Sequence, residues 1–164
     1  VQYLHSEYDS FTYYLPNQGL PPVTSCGYSP TTQQVNGSTI AVFEVDCSGK
    51  PGLNSPKWSV NMFAEQTIPL GNYQFVLAAD GRYRSSAEIE SNFSPFFKAE
   101  EAFVANASLT FGPDDEQWFV TAFVNNIGDV RRLATTSLVS SVNVQIGNYE
   151  PPRTYGLRVG FTLP

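Results

Sequence analysis

Charge is scarce in this chain. Asp, Glu, Lys and Arg supply 15% of its 164 residues, against roughly 25% in ordinary soluble domains. The few charges lean acidic, with a formal net charge of -6. A nucleic-acid backbone needs clustered Lys and Arg, so no nucleic-acid partner is expected. Histidine occurs once, at His5, which excludes a multi-histidine metal site or a histidine-based triad within this chain. The serines include no Gly-x-Ser-x-Gly elbow of the kind that exposes a nucleophile. No catalytic residue, metal or cofactor is therefore assigned, and no enzyme activity is expected. Long apolar runs are also missing. Nothing approaches the roughly 18 consecutive apolar residues of a transmembrane helix. Barrel strands, whose hydropathy signal is weaker, stay open.

Cysteine is nearly absent too. Cys26 and Cys47 lie in one Pro/Gly/Ser-rich stretch without Cys-x-x-Cys or a neighbouring histidine, which argues against zinc. A disulfide closing that stretch is the favoured reading. It would contribute about 3 kcal/mol on the loop-entropy estimate and implies an oxidising compartment. Two unpaired thiols are the alternative. The chain starts at Val1 without Met. Its first residues read as mid-strand rather than as a signal peptide, so a fragment of a longer protein is expected.

What is plentiful is aromatic and turn-forming: aromatics reach 14%, with Gly 12 and Pro 12. Side chains of a strand alternate between faces, and several stretches alternate clearly. In Arg153 to Leu163, Tyr155, Leu157, Val159, Phe161 and Leu163 share one face against Thr154, Gly156, Arg158, Gly160 and Thr162. Tyr73 to Ser86 sets Tyr73, Phe75, Leu77, Ala79, Gly81 and Tyr83 against Gln74, Asp80, Arg82 and Arg84. Lys57 to Ile68 and Ala99 to Phe111 follow the same rule. Gln117 to Ile127 does so except at Phe119 and Phe123, and Val1 to Tyr14 reads as extended with poor alternation. The expectation is an all-β, antiparallel up-and-down meander of about six strands.

The connections are lopsided. Pro69 to Asn72 and Gly112 to Glu116 are tight turns, whereas 15–56, 87–98 and 128–152 are long. In a meander every tight turn then falls at one end and every long loop at the other. Outer-membrane barrels have this asymmetry, with short periplasmic turns and long extracellular loops. The strands are also long. A 25 Å apolar band crossed at about 45° needs roughly ten to eleven residues. Trp58, Tyr73, Tyr83, Phe111, Trp118, Tyr155 and Phe161 collect near strand ends, as interfacial aromatic girdles do. Six strands do not close a transmembrane barrel, so strands ahead of Val1 are expected.

Four segments carry a family resemblance. Glu150 to Leu163 (EPPRTYGLRVGFTL) is similar to the closing strand of TonB-dependent outer-membrane receptors. Trp118 to Arg132, with NNIGD within it, resembles the strand before it. Asn54 to Asn61 (NSPKWSVN) and Gly81 to Ser86 (GRYRSS) resemble an earlier down-strand and the top of the next up-strand. The resemblance covers essentially the whole chain. It implies the C-terminal part of a 22-stranded transmembrane β-barrel in the bacterial outer membrane, importing a siderophore or other scarce nutrient. It also implies partners: membrane lipid, the remaining barrel and plug domain, and the TonB energy-coupling protein, contacted through an absent N-terminal part. The family usually ends on Phe, whereas here Leu163 and Pro164 close the chain, which departs from the signal read by assembly machinery.

Within that frame Leu77, Leu109, Tyr155, Leu157, Val159 and Phe161 are expected to face lipid. Glu65, Asp80, Arg82, Arg84 and Glu88 are expected to line the lumen or its mouth, as a hydrated wall with cross-strand pairs in preference to a surface that touches passing substrate. Ligand contacts are expected from loops, which carry binding on rigid scaffolds, with candidates Tyr28, Phe43, Phe93, Phe96, Phe97, Arg131 and Arg132. Asp114, Asp115 and Glu116 read as a solvated turn. The main alternative is a secreted β-sandwich binding module of the carbohydrate-binding type, which would seal the same apolar face inside its own core.

Overall fold

The computed structural model describes residues 1–139 and 144–162. Its described residues form strands and no helix: β1 (Gln2–Tyr3), β2 (Thr12–Pro16), β3 (Gly27–Val35), β4 (Ser38–Asp46), β5 (Trp58–Leu70), β6 (Tyr73–Arg84), β7 (Ala87–Glu88), β8 (Lys98–Ala99), β9 (Ala102–Pro113), β10 (Trp118–Asn125), β11 (Leu133–Val139), β12 (Val144–Tyr149) and β13 (Thr154–Phe161). The protein is all-β. Its main sheet is an antiparallel meander in the order β1-β5-β6-β9-β10-β13.

The register brings the apolar faces of successive strands together. Gln66 opposes Leu77, Leu77 opposes Leu109, Leu109 opposes Ala122, and Ala122 opposes Leu157. Because directly paired residues share a face, one surface carries Val60, Met62, Ala64, Ile68, Phe75, Leu77, Ala107, Leu109, Val120, Val124 and Val159, among others. Gln66 is the polar exception there, and its Nε2 donates to the Thr67 carbonyl at 2.8 Å. The other surface carries hydrogen-bonded polar pairs between strands: Asn106 to Asp80 at 2.8 Å, Thr110 with Thr121 at 2.8 Å, and Asn125 to Thr154 at 3.2 Å.

Phe119 and Phe123, which break the alternation, stand on this polar surface for a local reason. They pair with Gly160 and Gly156 of β13. A Cβ on Gly160 would come within 2.3 Å of the Phe119 ring, and one on Gly156 within 2.9 Å of the Phe123 ring. Each ring lies over the bare backbone of its partner, the aromatic cover that glycine in a strand invites.

The two tight turns of the main sheet, β5 to β6 and β9 to β10, fall at one end. Gly71 at φ +65° opens the two-residue link between β5 and β6, a position that favours glycine. Asp114 N–H donates to the Asn72 carbonyl at 3.0 Å, tying the two turns together. The opposite end carries the long loops, and these are folded rather than irregular. They hold a three-stranded sheet in the order β2-β4-β3, the short β7–β8 pair and the β11–β12 hairpin.

The expected first strand is therefore corrected. Only Gln2–Tyr3 pairs with β5. The chain then leaves the main sheet, and Thr12–Pro16 joins the loop-end sheet through β4. The poor alternation of residues 1 to 14 has a cause: Tyr8, Phe11, Tyr13 and Leu15 pack on a core of Cys26, Val45, Cys47 and Phe93. That loop-end core is bridged by the Cys26–Cys47 disulfide, as expected. It is the hydrophobic core of the described residues, and it lies off the main sheet. No second layer covers the apolar surface of the meander: Leu157 and Phe161 are each 75% exposed and Tyr155 is 82% exposed. A sandwich would interdigitate a facing sheet about 10 Å away, and none is present among the described residues. Leu163 and Pro164, and part of the expected loop 128–152, lie outside the described residues.

Candidate functional site

The meander presents its most elaborate chemistry where the polar surface meets the loop end. Arg82 and Arg84 occupy the last positions of β6 on that surface. Glu150 follows β12, just ahead of Pro151 and Pro152. Proline cannot continue the ladder, so the hairpin stops there and the carboxylate is left beside β6. Arg132 follows β10 and precedes β11. All three guanidiniums converge on Glu150. Arg132 Nη1 lies 3.4 Å from its Oε1 and Arg82 Nη2 lies 3.8 Å from its Oε2, while Arg84 forms a close ion pair with it.

The cluster is graded in burial. Arg132 is 6% exposed and is held on two further sides: its Nε donates to the Glu100 carbonyl at 2.9 Å and its Nη2 to the Ser85 carbonyl at 3.3 Å. Burial, then the adjacent Arg84 charge, pulls this guanidinium below its usual range, against the attraction of Glu150. It stays charged, as arginine does in proteins. The Arg82 side chain is half exposed and rests only at the edge of ion-pair distance.

Asn126 organises the neighbouring bend. It is buried, at φ +51°. Its amide donates to the Val130 carbonyl at 2.9 Å and the Pro151 carbonyl at 3.1 Å, and its Oδ1 accepts from Val130 N–H at 2.9 Å. Asp129 accepts from Arg153 N–H at 3.0 Å. The NNIGD segment thus locks the chain after β10 to the start of β13, with Arg132 close by.

The expected ligand residues separate into two groups. Phe93 is 1% exposed and sits in the loop-end core against Tyr8 and Phe11, with ring centroids 6.3 Å away in each case. Its φ of +49°, costly for a bulky residue, is sustained by that packing. Phe93 has no surface to offer a ligand and is withdrawn as a contact. Arg132 is withdrawn for the same reason: burial places it behind Glu150 as a positioning residue. Phe43 and Phe97 are half-buried, with Phe43 in edge contact with Tyr28 at 5.6 Å. Tyr28, Phe96 and Arg131 are exposed. They do not converge with the arginine cluster into one enclosed site. Glu88 pairs with Lys98 at 3.9 Å at the loop end rather than on the polar surface.

Glu150 received no role from the sequence, although it stands in the closing-strand motif. Nothing in its spacing announces three arginines from distant segments; only the double proline marked a break there. Two rows of aromatics also emerge on the apolar surface. Near the turns, Tyr73 stacks on Phe111 at 5.5 Å, Phe75 lies 4.8 Å from Phe111, and Trp118 lies 5.8 Å from Phe111. Near the loops, Tyr3 meets Trp58 at 4.8 Å, and Tyr83 opposes Phe103.

No protein-family model, curated protein or solved structure matches the chain. Function is therefore argued from this geometry. Among the described residues no group of three or more His, Cys, Asp or Glu side chains is placed to hold a metal ion.

Proposed function

We propose that these residues are the C-terminal part of the transmembrane barrel of a TonB-dependent receptor in a bacterial outer membrane, one that takes up a siderophore or other scarce nutrient. The observation that carries the membrane reading is the uncovered apolar surface of the meander, bounded by an aromatic row at each end. Large exposed apolar patches mark contact with lipid or with another protein, and here the dimensions favour lipid. Tyr73 and Tyr83 of β6 bracket the band. Ten residues span about 33 Å of strand, or about 23–27 Å across a bilayer at a tilt of roughly 35–45°. The apolar band of such barrels is about 25 Å tall.

The opposite surface supports the reading as the wet side. Arg158 follows Leu157 at nearly the same depth, on the polar face, with its guanidinium 5.8 Å from the Phe123 ring centroid. A guanidinium at that depth needs water or a polar lumen. The outer edges of β13 and of most of β5 carry no partner strand among the described residues. Open edges are costly in hydrocarbon, so the rest of the barrel and the plug would come from further polypeptide. Transport, the nutrient and the TonB partner rest on the sequence resemblance. The sandwich alternative loses its main support, because the face it must bury is bare.

Trp58 and Trp118 test the membrane reading, since they sit on the apolar surface at its two ends. In the whole expressed protein, refolded into phosphatidylcholine vesicles, lipids brominated near the headgroup should quench both tryptophans more than lipids brominated near the chain terminus. Absence of quenching by either lipid, with the protein folded, would defeat the proposal.

A further inference from the structure

We propose that Arg82 and Arg84, held beside Glu150 by the buried positioning residue Arg132, form a binding site for a small soluble oxyanion, of the polycarboxylate or phosphate class. Three guanidiniums face one carboxylate, which leaves an excess of two positive charges in the cluster. Three other carboxylates have partners of their own, although Asp80 and Glu101, bonded to neutral groups, keep their charge. Asp80 accepts from Asn106, Glu101 accepts the Tyr83 hydroxyl at 2.8 Å, and Glu88 pairs with Lys98. Glu100 meets the cluster through its backbone carbonyl.

The donors are also in excess. Each guanidinium offers five N–H groups in a planar fork matched to carboxylate and phosphate. Glu150 and two backbone carbonyls accept only some of them. Arg132 is fixed by its buried hydrogen bonds, it holds Glu150, and Glu150 holds Arg84. Arg82 stands outermost, with its nearest acidic oxygen 3.8 Å away, beyond hydrogen-bond range. An incoming oxyanion would find a preorganised positive rim with one arm free to close. The cluster lies on the polar surface, so a free solute rather than a lipid headgroup is the occupant. Its use in uptake rests on the receptor reading; oxyanion binding itself does not.

Citrate is the probe, titrated calorimetrically into the whole expressed protein in neutral detergent. Saturable binding that weakens with added salt is expected. Arg82→Gln should weaken it about tenfold, the loss of one charge-assisted hydrogen bond. Arg82→Lys should fall between the two, because it keeps charge but loses the fork. Arg153→Gln, at the same end but outside the cluster, should bind as the parent does. Circular dichroism checks that each variant is folded. No saturable citrate binding by the folded parent, or equal affinity in the Arg82→Gln and Arg82→Lys variants and the parent, would overturn the site. Lipid quenching of Trp58 and Trp118 is independent of either result, so the site and the membrane reading fail separately.

Discussion

Replacing Leu77 by arginine gives the sharpest test of what solvates the apolar surface. Leu77 lies in the row running from Gln66 to Leu157. It is four residues from Tyr73 and six from Tyr83, or about 13 Å and 20 Å along the strand. It therefore stands near mid-depth. An arginine facing lipid at the midplane costs about 2–4 kcal/mol, falling to about 0–1 kcal/mol near the interfaces. At 1.4 kcal/mol per factor of ten, Leu77→Arg should lower the folding constant roughly 30- to 700-fold. Leu70→Arg, on the same face at the turn end, should cost under about 1 kcal/mol. Thr67→Arg, one residue from Gln66 but on the polar surface, should also cost little, as the native Arg158 does beside Leu157. Guanidinium titration of the whole protein in phosphatidylcholine vesicles, followed by tryptophan fluorescence, measures all three. The gradient with depth is the decisive feature, because a protein core would penalise Leu70→Arg and Leu77→Arg alike. Equal costs at those two positions, or equal costs for Leu77→Arg and Thr67→Arg, would refute the reasoning.

Three further outcomes follow from the packing. Gly160→Ala drives a Cβ into the Phe119 ring and should destabilise by about 1–3 kcal/mol; adding Phe119→Ala should recover part of that loss, and additive effects in the same titration would count against the ring-over-glycine contact. Reducing Cys26–Cys47, which closes a separation of 21 residues, should remove about 3 kcal/mol from the loop-end sheet. Hydrogen exchange should then rise in β2, β3 and β4 while β6 and β9 keep their protection; uniform loosening would argue against an independent loop-end core. Burial pushes the Tyr13 hydroxyl above its ordinary value. Its neutral form is favoured in the fold, so that contribution is intact below the unfolded value near 10 and is lost as pH rises through the raised one. Loop-end exchange should accelerate above about pH 10, and Tyr13→Phe should abolish that step; an unchanged alkaline profile in the variant would contradict it.

Much of the main sheet was legible because its physical cause is local. Period-two alternation in Tyr73 to Ser86, Ala99 to Phe111 and Arg153 to Leu163 places side chains on faces without knowledge of any partner strand. Gly71 marks where β5 ends and β6 begins, whereas Pro69 is taken into β5 opposite Gln74. The disulfide was legible by elimination, as two cysteines with no metal-binding company. Phe119 and Phe123 looked like errors in the pattern because the glycines beneath them lie on β13, more than thirty residues away. Phe93 looked like a loop aromatic because nothing local shows that Tyr8, Phe11 and the disulfide close over it.

The amino-acid order alone settled that these strands have one oily and one wet face, since alternation is a property of each strand by itself. Only the tertiary structure decided that the strands align those faces into one uncovered surface, that the long loops build a separate core, and that Arg82, Arg84 and Arg132 meet at Glu150. Those outcomes depend on register and chain return, which join residues distant in sequence through contacts that local composition does not encode.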